Sequence, residues 1–537
     1  MHMTRGEVAT RALLVALPLG FLAVFFVWPV AALIWRGLGD EPGAVIDLWR
    51  SGRNLRILWF TLWQAVVSTI ATFVLAWPLT MVMARWRFAG KRVVRALITV
   101  PFVLPTIVVA AAFIALADRT GLDDGWLSLR RSTLAILSAH VFFNIAVVVR
   151  TVGGFWEQLD NRPEQAASVL GARPLRVFWE VTLPRLRRVI ASAAIIIFLF
   201  TFTSFAVILV LGGPTKSTLE TEIFRHAVTR SDFATGAALA TVQIVAVAGI
   251  VMLSMWARRG ATTRGVGASQ ARAVPPGRRA RVGLAIATSI ALLMTPIVVL
   301  IERSLRVGDS WTLSNYRALT ERPRLLSVTG FGAIANSLTF AIVAAAIALL
   351  VGGAASLVIV HGRGAARRLI DLGALLPIGT SAVTLGFGFL IALDEPPLDL
   401  RSSWWIVPIA QSLIGIPFVV RAVVPVLRAI EPEWRDAAAS LGASPARVRR
   451  EIDVPIAARA LLVGLGFAFA VSLGEFGATS FVGRRPDLMT VPIAISRLLG
   501  QPGDVLRGQA MALSVVLMVV TTIAVALLDR SDRNVLL

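Results

Sequence analysis

Long apolar runs along the chain are separated by short polar segments rich in arginine, and this alternation sets the fold class. Apolar runs of 18 residues or more are long enough for a helix to cross about 30 Å of hydrocarbon. Such runs recur near 12–35, 57–84, 97–117, 134–156, 189–211 and 236–257, then near 283–301, 332–360, 372–393, 404–427, 460–483 and 510–528. The pattern predicts an all-α, polytopic membrane protein with about twelve transmembrane helices. In the third run, Pro101 and Pro105 predict a kinked helix.

Charge then orients the runs. Residues 85–95 carry five basic side chains and no acid, and residues 258–281 carry seven arginines and no acid. Segments of that kind stay on the cytoplasmic side. Residues 36–56, 118–133 and 212–235 fall outside on the same count, and both termini fall inside. The 258–281 stretch is also rich in Gly, Ala, Ser and Pro, which predicts a flexible cytoplasmic linker. An even number of spans precedes it, so both halves enter the membrane in the same direction.

One polar stretch occurs twice. Residues 164–184 read EQAASVLGARPLRVFWEVTLP and residues 435–455 read RDAAASLGASPARVRREIDVP, aligned without a gap 271 positions apart. The chain is therefore a duplication: a first half at 1–257 with its polar loop at 160–188, the linker, and a second half at 282–537 with its loop at 431–459. Parallel repeats of this kind meet about an axis along the membrane normal, with a solute path between them. In each copy an alanine-rich helix precedes Gly171 or Gly442, where a positive φ permits a sharp turn. Pro174 or Pro445 suits the first turn of a second helix. Val181 and Leu183, matched by Ile452 and Val454, give that helix an apolar side, and Pro184 or Pro455 is expected to end it. A surface helix–turn–helix kept at matched places in both halves suits docking of a soluble partner better than packing alone.

Composition narrows the function classes. Hydrophobic residues make up 56% of the chain and charged residues 16%, too little polar surface for a soluble protein of 537 residues. The net charge of +22 follows the loop arginines rather than a nucleic-acid face. With no cysteine and only His2, His140, His226 and His361, thiolate chemistry is excluded and no histidine pair has metal-ligand spacing. The stretch Gly212-Gly213-Pro214-Thr215-Lys216-Ser217-Thr218 lacks the glycine before lysine that a phosphate loop needs, and it follows a span rather than a strand. Energy must come from another chain.

The repeated stretch resembles the signature loop of permeases of bacterial ABC importers: Glu-Ala-Ala, three residues, Gly, nine residues, Ile, any residue, Leu-Pro. Gln165, Ala166, Ala167, Gly171 and Pro184 carry it in the first copy; Asp436, Ala437, Ala438, Gly442 and Pro455 carry it in the second. Gln165 and Asp436 replace the glutamate, Val181 the isoleucine and Val454 the leucine. The resemblance implies the type I importer permease fold, with each loop forming a helix that docks on a separate ATPase subunit. It also implies two copies of that ATPase, an external substrate-binding protein, and a place in the bacterial inner membrane. ATP and Mg would sit on the partner, with no cofactor and no catalytic residue on this chain. The fused two-half form and the stretches 139–150 and 203–228 resemble the thiamine importer permeases, and more loosely the iron(III) permeases.

Buried polar groups are the candidates for the solute path, because ionisable side chains in a span cost roughly 2.5–3.5 kcal/mol to insert. Glu475 falls mid-span in the eleventh run, where it either offsets a cationic solute or bonds between helices. His140 and Asn144 share one face of the fourth run, one turn apart. Thr203 and Ser204 fall where Gly474 and Glu475 stand in the other half. With only Glu475 as a clear intramembrane acid, an ion-gradient-driven secondary transporter is the alternative of another class.

Overall fold

The computed structural model describes residues 5–40, 43, 48–122, 128–258, 271–394, 398–400, 402–483 and 485–533. Part of the expected linker, 259–270, and parts of two expected external loops, 41–42 with 44–47 and 123–127, lie outside the described residues. The described residues are almost all helical. In chain order the elements used below are α1 Ala12–Gly39, α2 Gly52–Arg85, α3 Lys91–Val103, α4 Thr106–Thr120 and α5 Thr133–Glu157. They continue with α6 Arg162–Val169, α7 Pro174–Val177, α8 Leu183–Phe202, α9 Ala206–Leu211, α10 Phe233–Leu253 and α11 Pro276–Ser304. The second half supplies α12 Gly330–His361, α13 Gly364–Gly373, α14 Ala382–Ala392, α15 Ile406–Ala429 and α16 Pro432–Ser440. It ends with α17 Pro445–Val448, α18 Val454–Leu473, α19 Thr479–Val482, α20 Val491–Leu499 and α21 Asp504–Leu527.

Among the described residues nine helices are long and apolar enough to span a membrane, or ten if α3 and α4 count as one bent span. Twelve were expected, and the shortfall has local causes. The third run breaks by 100° between α3 and α4, where Leu104 before Pro105 is forced into extended backbone. The ninth run is broken likewise around Pro377, so α14 has only 11 residues; Ser381 caps it by accepting from the Val383 N–H at 3.1 Å. The fifth run, whose helix α8 carries Arg185, Arg187 and Arg188 in its first turns, is not among the nine. It stops at Phe202 and the eleventh, which is among them, at the matched Leu473, and both resume as the short helices α9 and α19. The segment expected as an external loop at 212–235 instead contains a helix, Leu219–Phe224, whose Glu220 and Glu222 are buried.

The chain divides into two compact units that cut across the expected halves. One comprises residues 1–50, 222–244 and 305–537; the other comprises 51–221 and 245–304. The first span thus joins the body of the second half, and the seventh span joins that of the first. Close backbone contact accounts for both memberships. A Cβ on Gly388 of α14 would lie 2.9 Å from the Pro29 carbonyl oxygen of α1. At the end of α11, Arg303 Nη2 donates to the Asp118 carbonyl at 3.1 Å, and Glu302 lies 3.4 Å from Arg119.

Inside each unit small residues let helices approach. A Cβ on Gly352 of α12 would come within 2.9 Å of Val419 on α15, and one on Gly464 of α18 within 2.9 Å of the same residue's backbone. In α2 the buried hydroxyls of Thr61, Thr69, Thr72 and Thr80 donate to carbonyls four residues back at 2.7–2.8 Å, so they need no partner from another helix.

Candidate functional site

Each unit carries one of the repeated stretches, and both fold as a helical hairpin. Helices α6 and α16 end in the same way. The Gly171 N–H donates to the Ser168 carbonyl at 3.1 Å and the Ala172 N–H to the Ala167 carbonyl at 3.0 Å. The matched bonds, Gly442 to Ala439 and Ala443 to Ala438, are both 3.0 Å. Gly171 and Gly442 have φ of +83° and +84°, the left-handed conformation this double-bonded helix end requires. Pro174 and Pro445 then occupy the first turns of α7 and α17. The expectation that Pro184 and Pro455 end the second helix does not hold. A π turn, Phe178–Thr182 or Arg449–Asp453, carries the helix on, and each proline sits in the first turn of the span, α8 or α18. Proline is accepted there because the Leu183 and Val454 N–H groups bond five residues back, to the Phe178 and Arg449 carbonyls, and this shift of register falls where each proline lacks an N–H.

The hairpin tips are apolar and open. Val169 and Leu170 are each 87% exposed, Leu441 is 90% exposed, and Leu175, Trp179 and Trp434 are also exposed. Gln165, Ala166, Gly171, Pro184, Asp436, Ala437, Gly442 and Pro455 are exposed as well, while Ala167 and Ala438 are half-buried.

Beneath the tips each hairpin is tied down by a buried carboxylate that the sequence did not single out. In the first, Glu164 accepts from the Thr182 hydroxyl at 2.7 Å and pairs with Arg85, the last residue of α2. Arg85 also donates to Asn161 Oδ1 at 2.9 Å and lies over the Trp156 ring at 5.3 Å. In the second, Asp453 accepts from Arg435 Nε at 2.9 Å, and its other oxygen lies 3.0 Å from Nε2 of His361, the last residue of α12, a close approach outside hydrogen-bond geometry. Arg435 reaches on to the Leu427 carbonyl at 2.9 Å. Glu164 aligns with Arg435 and Thr182 with Asp453, so the same two positions are bridged with the acid on opposite helices.

The polar residues expected along the solute path do not form one group. His140, Asn144 and Ser204 come together: His140 Nδ1 lies 3.1 Å from the Ser68 hydroxyl and Nε2 lies 2.9 Å from the Ser204 hydroxyl. Asn144 donates to the His140 carbonyl at 2.9 Å, and its Oδ1 has no partner among the described residues. Thr203 turns back to donate to the Leu199 carbonyl of its own helix. Glu475 belongs to the other unit and is not mid-helix. It sits in the break after α18 and accepts from the N–H groups of Ala478 and Thr479, at 2.7 and 2.9 Å, and from the Thr479 hydroxyl. The short gap between α18 and α19 brings those donors within reach of its carboxylate.

A family model described as the binding-protein-dependent transport system inner membrane component matches residues 76–260 and again residues 360–536, each match enclosing one hairpin. The chain belongs to this family. It is an ABC importer permease subunit of the fused form, with two copies of the domain. It is similar to the thiamine transport system permease protein of Salmonella typhimurium, 26% identical over 490 residues, which is 88% of each chain. It is also similar to that of Brucella abortus, 27% identical over 514 residues, 92% of this chain and 90% of the relative. A putative 2-aminoethylphosphonate transport system permease protein of Salmonella typhimurium is 28% identical over 260 residues, covering 48% of this permease but 97% of the relative, as a half-sized protein would. Membership places the permease in the inner membrane as a multi-pass subunit and implies partners that hydrolyse ATP and deliver the solute.

Proposed function

We propose that this permease passes thiamine or its phosphates inward, driven by two copies of a cytoplasmic ATPase, one on each hairpin, and loaded by an external binding protein. The observation that carries the coupling role is the pair of hairpins with one backbone geometry, left-handed glycine included, each presenting exposed apolar side chains at its tip. Exposed apolar clusters of that kind mark protein contact sites. Gln165, Ala166, Ala167, Gly171 and Pro184, with Asp436, Ala437, Ala438, Gly442 and Pro455, form the two docking surfaces. Both termini then lie in the cytoplasm, on the hairpin side. The thiamine assignment rests on relatives that match in fused form over about nine-tenths of their length.

His140, Asn144 and Ser204 are the residues we assign to the solute path. The Asn144 oxygen is a buried acceptor without a partner among the described residues, which a solute N–H or hydroxyl would engage once the surrounding helices part. Thr203 and Glu475 are assigned to holding the helix breaks, since their polar atoms are already engaged there.

The test is uptake of labelled thiamine by proteoliposomes holding the permease, its ATPase and its binding protein. ATP-dependent accumulation is expected. Uptake of chelated iron(III) in place of thiamine would overturn the solute assignment. Uptake that survives ATP removal but collapses with the ion gradient would overturn the ATP-driven reading as well.

A further inference from the structure

We propose that the two buried carboxylates, Glu164 and Asp453, are positioning residues that lock each hairpin to the adjoining end of α2 or α12, so that displacement of the hairpin moves that span with it. This deepens the coupling role proposed above and rests on it. Three observations carry it. Glu164 and Asp453 are 7% and 0% exposed, whereas the neighbouring acids Glu180, Asp436 and Glu451 lie on the surface. Each carboxylate joins three elements: the first hairpin helix, the turn into the span behind the hairpin, and the last side chain of another span, Arg85 or His361. The bridged positions, 164 with 182 and 435 with 453, are the same in both copies although the acid has changed sides.

That exchange argues for the connection itself as the retained feature. An acid needed only for solubility or helix propensity would have no reason to find a cation at the end of the second span of its half in both cases. Removing one partner of a buried pair leaves the other charge uncompensated, so the link is stiff while intact. The hairpin is already continuous with the span that follows it through the π turn and is linked through the chain to the span before it; the clamp adds α2 or α12. A push on the tip is then shared with a third helix beyond the two spans that flank the hairpin in the chain.

The experiment uses the permease co-purified with its ATPase subunit and reconstituted in liposomes, comparing wild type with Glu164→Gln, Asp453→Asn and both together. Labelled thiamine uptake and ATP hydrolysis are read in parallel. Because the chain has no cysteine, cysteines placed at Leu170 on the tip and Val74 on α2 take spin labels for a distance measurement. The expected result is that the complex assembles and hydrolyses ATP, while thiamine moved per ATP falls by about tenfold in the double variant. The tip-to-α2 distance, constant in wild type between the nucleotide-free and ATP–vanadate states, is expected to change in Glu164→Gln. Transport per ATP within twofold of wild type, with an unchanged distance, overturns the proposal. So does loss of the ATPase on purification, since the carboxylates would then serve docking alone. Rebuilding the first clamp in the chemistry of the second, with Glu164→Arg and Thr182→Asp, is expected to recover transport that Glu164→Arg loses; failure to recover counts against it. If wild type moves no thiamine, the solute assignment fails by itself, and the distance measurement still decides the clamp.

Discussion

Under the first hairpin lie three aromatic rings. Trp77, Trp156 and Phe178 have centroids 5.7–6.2 Å apart, with Ala84, Leu159 and Leu186 buried around them. In the second hairpin the positions of Trp156 and Phe178 are taken by Leu427 and Arg449. Asp453, Arg435 and His361 seat that hairpin, as Glu164 and Arg85 help to seat the first. The two tips nonetheless share their turn, their capping bonds and their π turn. A duplicated element therefore retained its backbone and a buried carboxylate beneath it, while the aromatic packing beside that carboxylate in the first copy is replaced in the second. At the docking surfaces proposed for the hairpins, a partner would constrain the backbone geometry. The supporting layer needs only to be filled and satisfied, and several chemistries do that.

The comparison can be tested from its strongest consequence downward. Trp156→Ala removes a ring that is 2% exposed and should cost about 3–5 kcal/mol in thermal unfolding of the purified protein. Leu427→Ala at the matched place should cost less, and equal losses would erase the contrast between the two seats. Gly171→Val and Gly442→Val each force a branched side chain into left-handed backbone, a strain of about 1–2 kcal/mol. With nothing within 4 Å of either Cβ, the strain comes from φ alone. The two variants should therefore lose ATP-driven uptake equally while still reaching the membrane, and a one-sided effect would show that the hairpins are not equivalent.

Smaller differences sharpen the picture at the helix breaks. Ser204→Ala leaves one His140 nitrogen without its hydroxyl, and Glu475→Gln weakens a double cap. Each should cost about 1 kcal/mol, read as a shift in unfolding midpoint. Ser204→Ala should also change the affinity for thiamine, whereas Glu475→Gln should not. The smallest effect belongs to the one side-chain pair preserved in both hairpins, Arg176 with Glu180 and Arg447 with Glu451, at 2.9 and 3.0 Å. Both pairs are exposed, so Arg176→Ala and Arg447→Ala should each cost no more than about 0.3–0.5 kcal/mol.

Much of this was legible along the chain. Hydropathy identified the membrane class, and the gapless register of 164–184 with 435–455 located both hairpins. The glycine in each predicts the left-handed turn that Gly171 and Gly442 adopt. The breaks were partly legible: Pro101 and Pro105 announced a kink, but no residue between Phe202 and Ala206 signals a stop, because hydroxyls bonded back to their own helix look like ordinary span residues. The clamps were hidden for a different reason. Glu164 stands opposite Arg435 in the alignment, and a reversal of charge reads as drift until Arg85 and His361 are seen arriving from elsewhere in the chain.

The sequence by itself determined that this protein crosses a membrane many times, in two copies of one plan, with a polar hairpin in each. Those are properties of local pattern, fixed by transfer free energy and by what glycine and proline allow. Only the tertiary structure decided that the first and seventh spans join the units of the opposite halves, and which buried acids meet which cations. Spans that are apolar on every side carry no mark of their neighbour, and an ion pair is made by two residues whose nearness no single stretch of chain records.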